Sequence, residues 1–312
     1  MRKVKININM KNADKTLKLK DFLETRDLES SKYCWLDMAL ENVMDGNIGA
    51  SALGQLDNLY YEVFQLIPKC ENERHLFRFS GISSDNSWNG LVSDIENNAI
   101  TLSSPSRFND PMDPLIRAWV RQRQIHYDDK VDKVMYQLVG KALEKTRICC
   151  MVDPLKNKRK LCSKKDIPRI EGCNPLMWAH YANSHKGICL QYKITPSNIL
   201  DTNEMVVRLL DVNYDKTLPL DGDISFIDSL IIKGDCWRYE KESRLIMYSK
   251  RKTKEFCQLK GYEIEAVYMG CEIDPKKRGE IKNILRGSNV QLYQMAFSKQ
   301  DITKLESHRI DL

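Results

Sequence analysis

The sequence predicts an α+β fold in which a mixed or split antiparallel β-sheet forms the core, helices flank it, and a helical hairpin precedes it. Apolar residues repeat at helical spacing before Pro68, whereas short strand-like stretches alternate with helical ones after it. Of the 312 residues, 42% are apolar and 29% are charged, as in a globular protein with a sizeable core. We therefore divide the chain into a helical N-terminal extension over 1–70 and an α+β domain over 71–312 that carries the candidate site.

The N-terminal extension contains two amphipathic stripes. They cover 36–44 and 53–67, and the Asp-Gly-Asn sequence at 45–47 separates them as a turn. This pattern predicts an antiparallel helical hairpin. Its apolar face needs a partner, which is either the rest of this chain or a second protein.

The α+β domain is predicted from eight strand-like stretches and three helices. The strands cover 75–79, 99–102, 147–152, 187–192, 206–214, 244–248, 266–269 and 290–295. Two helices begin at Asp113-Pro114 and Asp274-Pro275, because Asp caps free amide groups and Pro fits the first helical position. A third helix is indicated by the apolar spacing over 131–142.

The hydropathy, cysteine content and charge of the sequence predict the compartment of the protein, the state of its thiols and the kind of partner it could attract. No apolar run approaches the roughly 18 residues of a spanning helix, and the N-terminus lacks a signal peptide pattern, so we expect a cytoplasmic protein without membrane contact. The ten cysteines are dispersed and include no CxxC pair, which favours reduced thiols over disulfides or structural zinc. The net charge is +6, and basic loops at 156–160, 164–165 and 250–254 could attract a nucleic-acid or protein target, although solvated loops look the same.

Three polar and aromatic segments form the candidate site, and the segment 237–244 is the most informative. In an extended strand its acids would share one face with two arginines, in the order Arg238, Glu240, Glu242 and Arg244. Neighbouring carboxylates raise each other's pKa and guanidinium groups lower it, so such a pair suits acid–base chemistry. We predict that Glu240 and Glu242 are catalytic and that Trp237 and Arg244 contact a ligand. A solvated ladder of salt bridges would give the same pattern.

The segment 108–113 reads as a rigid turn. Pro111 restricts Asp110 to an extended or turn conformation, so the side chains of Asn109 and Asp110 could be held toward a pocket. We predict that both contact a ligand, although a simple turn explains them equally well. For Asp113 we favour a role as a helix cap.

The segment 177–187 combines aromatic rings with polar tips. His180 is predicted to be catalytic, because histidine carries protons near neutral pH. Ligand contacts are predicted for Trp178, Tyr181, His185 and Lys186, since aromatic rings can sandwich a planar ligand. A place in the core is the alternative for Trp178.

In this order, the three segments resemble a widespread bacterial family known as domain of unknown function 2971. The motifs of that family are Phe-Asn-Asp-Pro-Phe-Asp, Met-Trp-x-His-Tyr-Ala with a following His-Lys-Gly, and Trp-x-Tyr-Glu-x-Glu-x-Arg. They correspond here to 108–113, 177–182, 185–187 and 237–244. The resemblance runs from Leu76 to the C-terminus, with Met112 in place of the usual Phe, and it names no activity.

The order of residues is also similar to that of ADP-ribosyltransferases, which place an Arg on the first core strand and a Glu-x-Glu late in the chain. Arg78, the strand end at 103–104, the pair at 180–181 and Glu240-x-Glu242 match this order. The similarity implies that Arg78 binds the pyrophosphate of NAD. It also implies that Glu242 stabilises an oxocarbenium-like transition state.

We therefore expect an NAD-consuming, ADP-ribosyltransferase-like enzyme, such as a bacterial toxin or an anti-phage defence effector, with NAD as substrate and no metal. One alternative is a metal-dependent nuclease or hydrolase that uses Asp110, His180, Glu240 and Glu242. Another is a module that senses a nucleotide-type small molecule without turnover, while the N-terminal helices recruit a protein partner.

Overall fold

A computed structural model describes residues 60–61, 64–65, 67–115, 140–156, 168–215, 226–301 and 303–312. Most of the predicted N-terminal hairpin, most of the predicted helix at 131–142 and most of the basic loop that begins at 156 lie outside these residues. None of the helices in the described ranges is long and apolar enough to cross a membrane.

The described ranges contain twelve strands and four α-helices, with further helical residues at 60–61, 64–65 and 140–145. The strands are β1 (Arg74–Ser80), β2 (Ala99–Ser103), β3 (Thr146–Val152), β4 (Ile188–Ile194), β5 (Met205–Asp211), β6 (Asn213–Asp215), β7 (Ile232–Gly234), β8 (Glu242–Ser249), β9 (Phe256–Lys260), β10 (Glu263–Met269), β11 (Gln291–Phe297) and β12 (Leu305–Ile310). The helices are α1 (Asp85–Glu96), α2 (Leu176–Tyr181), α3 (Phe226–Ile231) and α4 (Pro275–Leu285). Short 3₁₀ turns cover Pro105–Arg107, Ile170–Gly172 and Asp235–Glu240. The α+β class is thus confirmed.

The sheet splits at β3. Along its whole length β3 pairs with β8, and β8 pairs on its far side with β5. On its other side, β3 meets β1 through Phe77 and Val152, and meets β2 through Ser103 and Ile148. The sheet therefore continues as two arms, one through β1, β4, β10, β11 and β12 and the other through β2 and β9. This is the predicted mixed, largely antiparallel sheet, since among the described strands β10 with β11 and β6 with β7 are the parallel pairs.

Two apolar clusters cover opposite faces of the sheet. One contains Leu76 of β1 together with residues of α1 and α4, and the other contains Phe77 of β1 together with Trp178 of α2. Neighbouring residues of β1 enter different clusters because side chains alternate along a strand. All eight residues of β8 are buried, since β8 lies between two other strands inside the fold.

Sequence signals locate the start of α4. The Asp274 side chain accepts hydrogen bonds from the backbone amides of Lys276 and Lys277, and Pro275 occupies the first helical turn. This arrangement confirms the predicted cap, which satisfies amide groups that a helix start leaves unpaired.

The described end of the N-terminal extension packs on its own chain. The Tyr60 ring lies 4.7 Å from that of Phe226, and the Phe64 ring is stacked 5.2 Å from that of Tyr248. The Arg208 guanidinium donates hydrogen bonds to the backbone carbonyls of residues 65 and 67. This part of the extension therefore uses the α+β domain as its apolar partner.

Candidate functional site

A cavity of about 240 Å³ lies where the sheet splits. Its strand side is formed by β1, β2 and β3, the strands that border the split. Its lining includes polar residues from separate parts of the chain, namely Arg78, Thr101, Ser103, Asn109, Asp110, Asp113, Cys150, Tyr181, Lys233, Glu240 and Glu242. The split in the sheet thus brings together residues from all three candidate segments.

The segment 237–244 is not the continuous strand that its alternation predicts. Residues 235–240 form a 3₁₀ turn, Lys241 has a left-handed backbone with φ 49°, and β8 begins at Glu242. The extended interpretation of 237–241 is wrong, because this turn interrupts the two-residue alternation. Arg238 is consequently exposed and pairs with Asp235. The ladder of two acids between two arginines does not form.

Glu240 and Glu242 belong instead to a buried charge cluster of five side chains: Asp113, Lys233, Glu240, Glu242 and Arg244. The Lys233 ammonium lies 2.6 Å from Glu240 Oε2, 3.1 Å from Glu242 Oε2 and 3.4 Å from Asp113 Oδ2. The Arg244 guanidinium donates at 2.7 Å to both Asp113 and Glu242. Lysine, and not Arg238, is therefore the second cation of the site.

The cluster separates the acids by their pKa. Burial raises the pKa of Asp113 and of Glu240, and the charge of Glu242 adds to both shifts. For Glu242 burial acts in the same direction, but Arg244 and Lys233 together outweigh it and hold its pKa below the usual range. Glu242 is therefore the firmly ionised acid, while Asp113 and Glu240 are the members that take up a proton more readily.

Glu240 has a second partner in Tyr181 of α2. The Tyr181 hydroxyl donates to Glu240 Oε1 at 2.6 Å, while Lys233 holds the other carboxylate oxygen. Burial raises the pKa of Tyr181, and the nearby charge of Glu240 adds to the shift. The phenol thus stays protonated near neutral pH and remains a donor to Glu240.

Arg78 lines the wall that β1 and β2 form. Its Nη1 lies 2.7 Å from Asp94 of α1, and Asp94 also accepts hydrogen bonds from the side chains of Thr101 and Gln258. Because Thr101 and Gln258 fix the Asp94 carboxylate, Asp94 holds the Arg78 guanidinium in place. Ser103 and Arg107 line the same cavity, and the Arg107 guanidinium pairs with Glu255 at 3.0 Å.

The segment 108–113 contributes both a turn and part of the site. The Asp110 carboxylate accepts a hydrogen bond from the Met112 amide at 2.8 Å, as expected for a turn. Asn109 and Asp110 also line the cavity. Asp113 enters the buried charge cluster, a role that helix capping did not predict. Phe108 lies beneath the Arg244 guanidinium, 5.3 Å from ring centre to Cζ.

His180, predicted to be catalytic, is exposed and does not line the cavity. Its ring lies 6.3 Å from that of Trp237 and 6.5 Å from that of Tyr239. Trp237 in turn lies 5.1 Å from the Lys233 ammonium. These rings form a partly exposed aromatic group beside the buried charge cluster, outside the cavity lining.

Trp178 occupies the core, which is the alternative that the sequence left open. It is 2% exposed and packs edge-on against Phe79 at 5.1 Å. Two other residues of α2, Met177 and Tyr181, do line the cavity.

His185 and Lys186 belong to a tight turn and do not line the cavity. Residues 183–185 all have positive φ angles of 46°, 52° and 66°. A Cβ atom at Gly187 would lie 2.2 Å from the Ser80 carbonyl, and one at Gly270 would lie 2.0 Å from that of His185. The His-Lys-Gly motif therefore closes the turn into β4 by close backbone packing.

Several site residues were not predicted from the sequence. Lys233, Cys150 and Asp113 all line the cavity, and the Cys150 side chain is exposed to it. A signal existed for Lys233, which is a lone cation directly after the apolar pair Ile231-Ile232. Such a buried lysine needs acidic partners, but the sequence did not show which acids would reach it.

The arrangement of the acids also bears on metal binding. Within the described part of the chain, no group of three or more His, Cys, Asp or Glu side chains is arranged to hold a metal ion. Oxygens of Asp113, Glu240 and Glu242 instead face Lys233 and Arg244.

Comparisons with protein-family models, with curated proteins and with solved structures found no match.

Proposed function

We propose that this chain is an NAD-consuming enzyme of the ADP-ribosyltransferase type. One observation carries the proposal: Arg78 of β1, Glu240 at the end of the 3₁₀ turn and Glu242 at the start of β8 line a single cavity where the sheet splits. Asn109 lines it as well. All three segments that carry the candidate motifs contribute residues to this lining.

The charge distribution around the cavity matches the two ends of NAD. Arg78 and Arg107 line the cavity and pair with Asp94 and Glu255, and their remaining guanidinium donors suit the phosphate oxygens of the pyrophosphate. Glu240 and Glu242 face the cavity from other elements and suit the positively charged nicotinamide ring. Aromatic residues of the lining, including Phe79 and Phe108, offer surfaces for stacking.

The proposed reaction breaks the bond between nicotinamide and the ribose. The electron pair of this bond leaves with neutral nicotinamide, and positive charge develops on the ribose. Ionised Glu242, held rigidly by Arg244 and Lys233, stabilises that charge. Water or an acceptor group then attacks the ribose carbon, and Glu240 accepts the proton that the nucleophile releases. Tyr181 keeps Glu240 oriented through its hydrogen bond.

Consumption of NAD, or transfer of its ADP-ribose to a nucleic-acid or protein target, would suit a bacterial toxin or an anti-phage effector. The basic loop at 250–254 is a candidate contact for such a target, because Arg251 and Lys252 are exposed there.

Incubation with NAD labelled in both halves tests the proposal directly. We expect nicotinamide release, with or without transfer of ADP-ribose to an extract, and loss of this activity in Glu242→Gln by a factor of about 100 or more. Glu263→Gln is the matched control, because Glu263 is an exposed acid on β10, outside the cavity. Absence of turnover by the wild-type protein in every extract would contradict the proposal.

A nucleotide-binding module without turnover is the second candidate. It is favoured by the full engagement of Glu242, whose two carboxylate oxygens both accept hydrogen bonds from cations of the cluster. Tight binding of NAD by calorimetry, together with intact NAD after long incubation, would select this function. We do not propose a metal-dependent nuclease, because Glu240 and Glu242 already contact Lys233.

A further inference from the structure

Lys233 brings three acids of the cavity wall together. Its ammonium lies within 3.4 Å of oxygens on Glu240, Glu242 and Asp113. Arg244 also contacts Glu242 and Asp113. Lys233 is therefore the cation on which Glu240 depends, since no other described cation forms an ion pair with it.

The fold fixes where Lys233 lies. In the parallel pairing of β6 with β7, Lys233 is in register with Tyr214. Just before β7, the carbonyl of Leu230 in α3 accepts a hydrogen bond from Arg244 at 2.5 Å. The Trp237 ring lies 5.1 Å from the ammonium group. The strand pairing, the hydrogen bond between Leu230 and Arg244 and the contact with Trp237 together fix the position of Lys233 beside β8.

We propose that Lys233 is a positioning residue, which directs the Glu240 carboxylate into the cavity and supplies the positive charge that lets three buried acids lie side by side. Carboxylates placed this close in the protein interior repel each other. Without the Lys233 ammonium, the Glu240 carboxylate would be a buried negative charge with no neighbouring positive charge among the described residues. Tyr181 holds the other oxygen of Glu240 but carries no charge to offset it.

The role in catalysis rests on the proposed function, but the positioning itself can be measured without NAD. Protein labelled with ¹³C at the glutamate side-chain carboxyl is titrated by NMR, and the Glu240 signal is assigned by its loss in Glu240→Gln. In Lys233→Met we expect the Glu240 titration midpoint to rise by about one pH unit or more. Lys233→Arg should return it toward the wild-type value.

The matched control is Lys260→Met, which removes an exposed lysine at the end of β9 and should leave the midpoint unchanged. An unaltered Glu240 midpoint in Lys233→Met would overturn the inference. If Lys233→Met does not fold, the double variant Lys233→Met/Glu240→Gln decides the question. The double variant lacks the unpaired Glu240 charge and should therefore fold. A double variant that also fails to fold would overturn the inference.

Turnover of NAD supplies a second readout. In Lys233→Met, the ascending limb of the pH profile of nicotinamide release should move to higher pH, and kcat should fall more than KM rises. A profile that keeps its wild-type midpoint would overturn the positioning role. If the wild-type protein releases no nicotinamide, the proposed function fails, while the carboxyl titration still decides the role of Lys233.

Discussion

The Nε of Arg244 donates a hydrogen bond to Oε1 of Glu242 at 2.7 Å. The two residues lie two positions apart on β8, so their side chains share a face of the strand. Both are buried, and Arg244 also reaches Asp113 on a distant part of the chain. This contact joins the segments 108–113 and 237–244 into one site.

Replacement of Arg244 by Met should destabilise the protein strongly. It would leave Asp113 and Glu242 without a cation that both contact at 2.7 Å, and breaking a buried ion pair in this way costs about 3–5 kcal/mol. Urea unfolding followed by circular dichroism would measure the loss. Arg251→Met is the control, because the Arg251 side chain is 82% exposed and its pairing with Glu204 should contribute about 1 kcal/mol or less. Equal losses in the two variants would argue against a cohesive role for the cluster.

Tyr181→Phe should show how much the hydrogen bond that orients Glu240 contributes to stability, apart from the ion pair of Glu240 with Lys233. The change removes the 2.6 Å hydrogen bond to Glu240 Oε1 and leaves Lys233 in place. We expect a loss of about 1.5–3 kcal/mol in unfolding free energy, the range for a hydrogen bond to a charged group. Tyr293→Phe serves as the control, since Tyr293 lies on β11 outside the cavity lining. Unchanged stability in Tyr181→Phe would mean that the hydrogen bond contributes little.

Two glycines should respond in opposite ways to substitution by Ala. At Gly270 a Cβ atom would lie 2.0 Å from the His185 carbonyl oxygen, so the backbone must shift and we expect a loss of about 1–3 kcal/mol. At Gly279 of α4 nothing lies within 4 Å of the new atom, and Ala should stabilise the helix by about 0.5–1 kcal/mol. Thermal unfolding of both variants gives the comparison. A tolerated Gly270→Ala would contradict the close packing of the His-Lys-Gly turn.

His75 should give the protein a measurable pH dependence. Burial lowers the pKa of His75, but the hydrogen bond and charge of Glu265, together with Glu73, outweigh this effect and raise it above its usual value. The resulting stabilisation is present below the pKa of the unfolded chain and is lost as pH rises through the folded value.

NMR titration of the His75 ring should therefore give a midpoint above about 6.5, the usual value for histidine. Unfolding measured at several pH values should show that His75→Gln removes the matching part of the pH dependence. A midpoint below the usual value would show that burial outweighs the two acids.

Local signals in the sequence predicted most of the described strands, the cap at Asp274 and the α+β class. These features depend on neighbouring residues, since the periods of helices and strands and the chemistry of caps are local. The sequence also predicted a shared site for Arg78, Asn109, His180 and Glu242. Arg78, Asn109 and Glu242 do line one cavity, whereas His180 is exposed and lies outside its lining.

The tertiary structure decided the composition of that site. Alternation along 237–244 predicted Arg238 as a member, but the left-handed Lys241 ends a 3₁₀ turn there and leaves Arg238 exposed. Lys233 and Asp113 take part because α3, β7 and the turn after β2 meet at β8. A charge cannot be buried without partners, yet the identity of those partners depends on chain segments far apart in sequence. The sequence by itself therefore determined the strands and helices and which acidic and basic residues are present. Only the packing of the split sheet determined which of these residues contact one another.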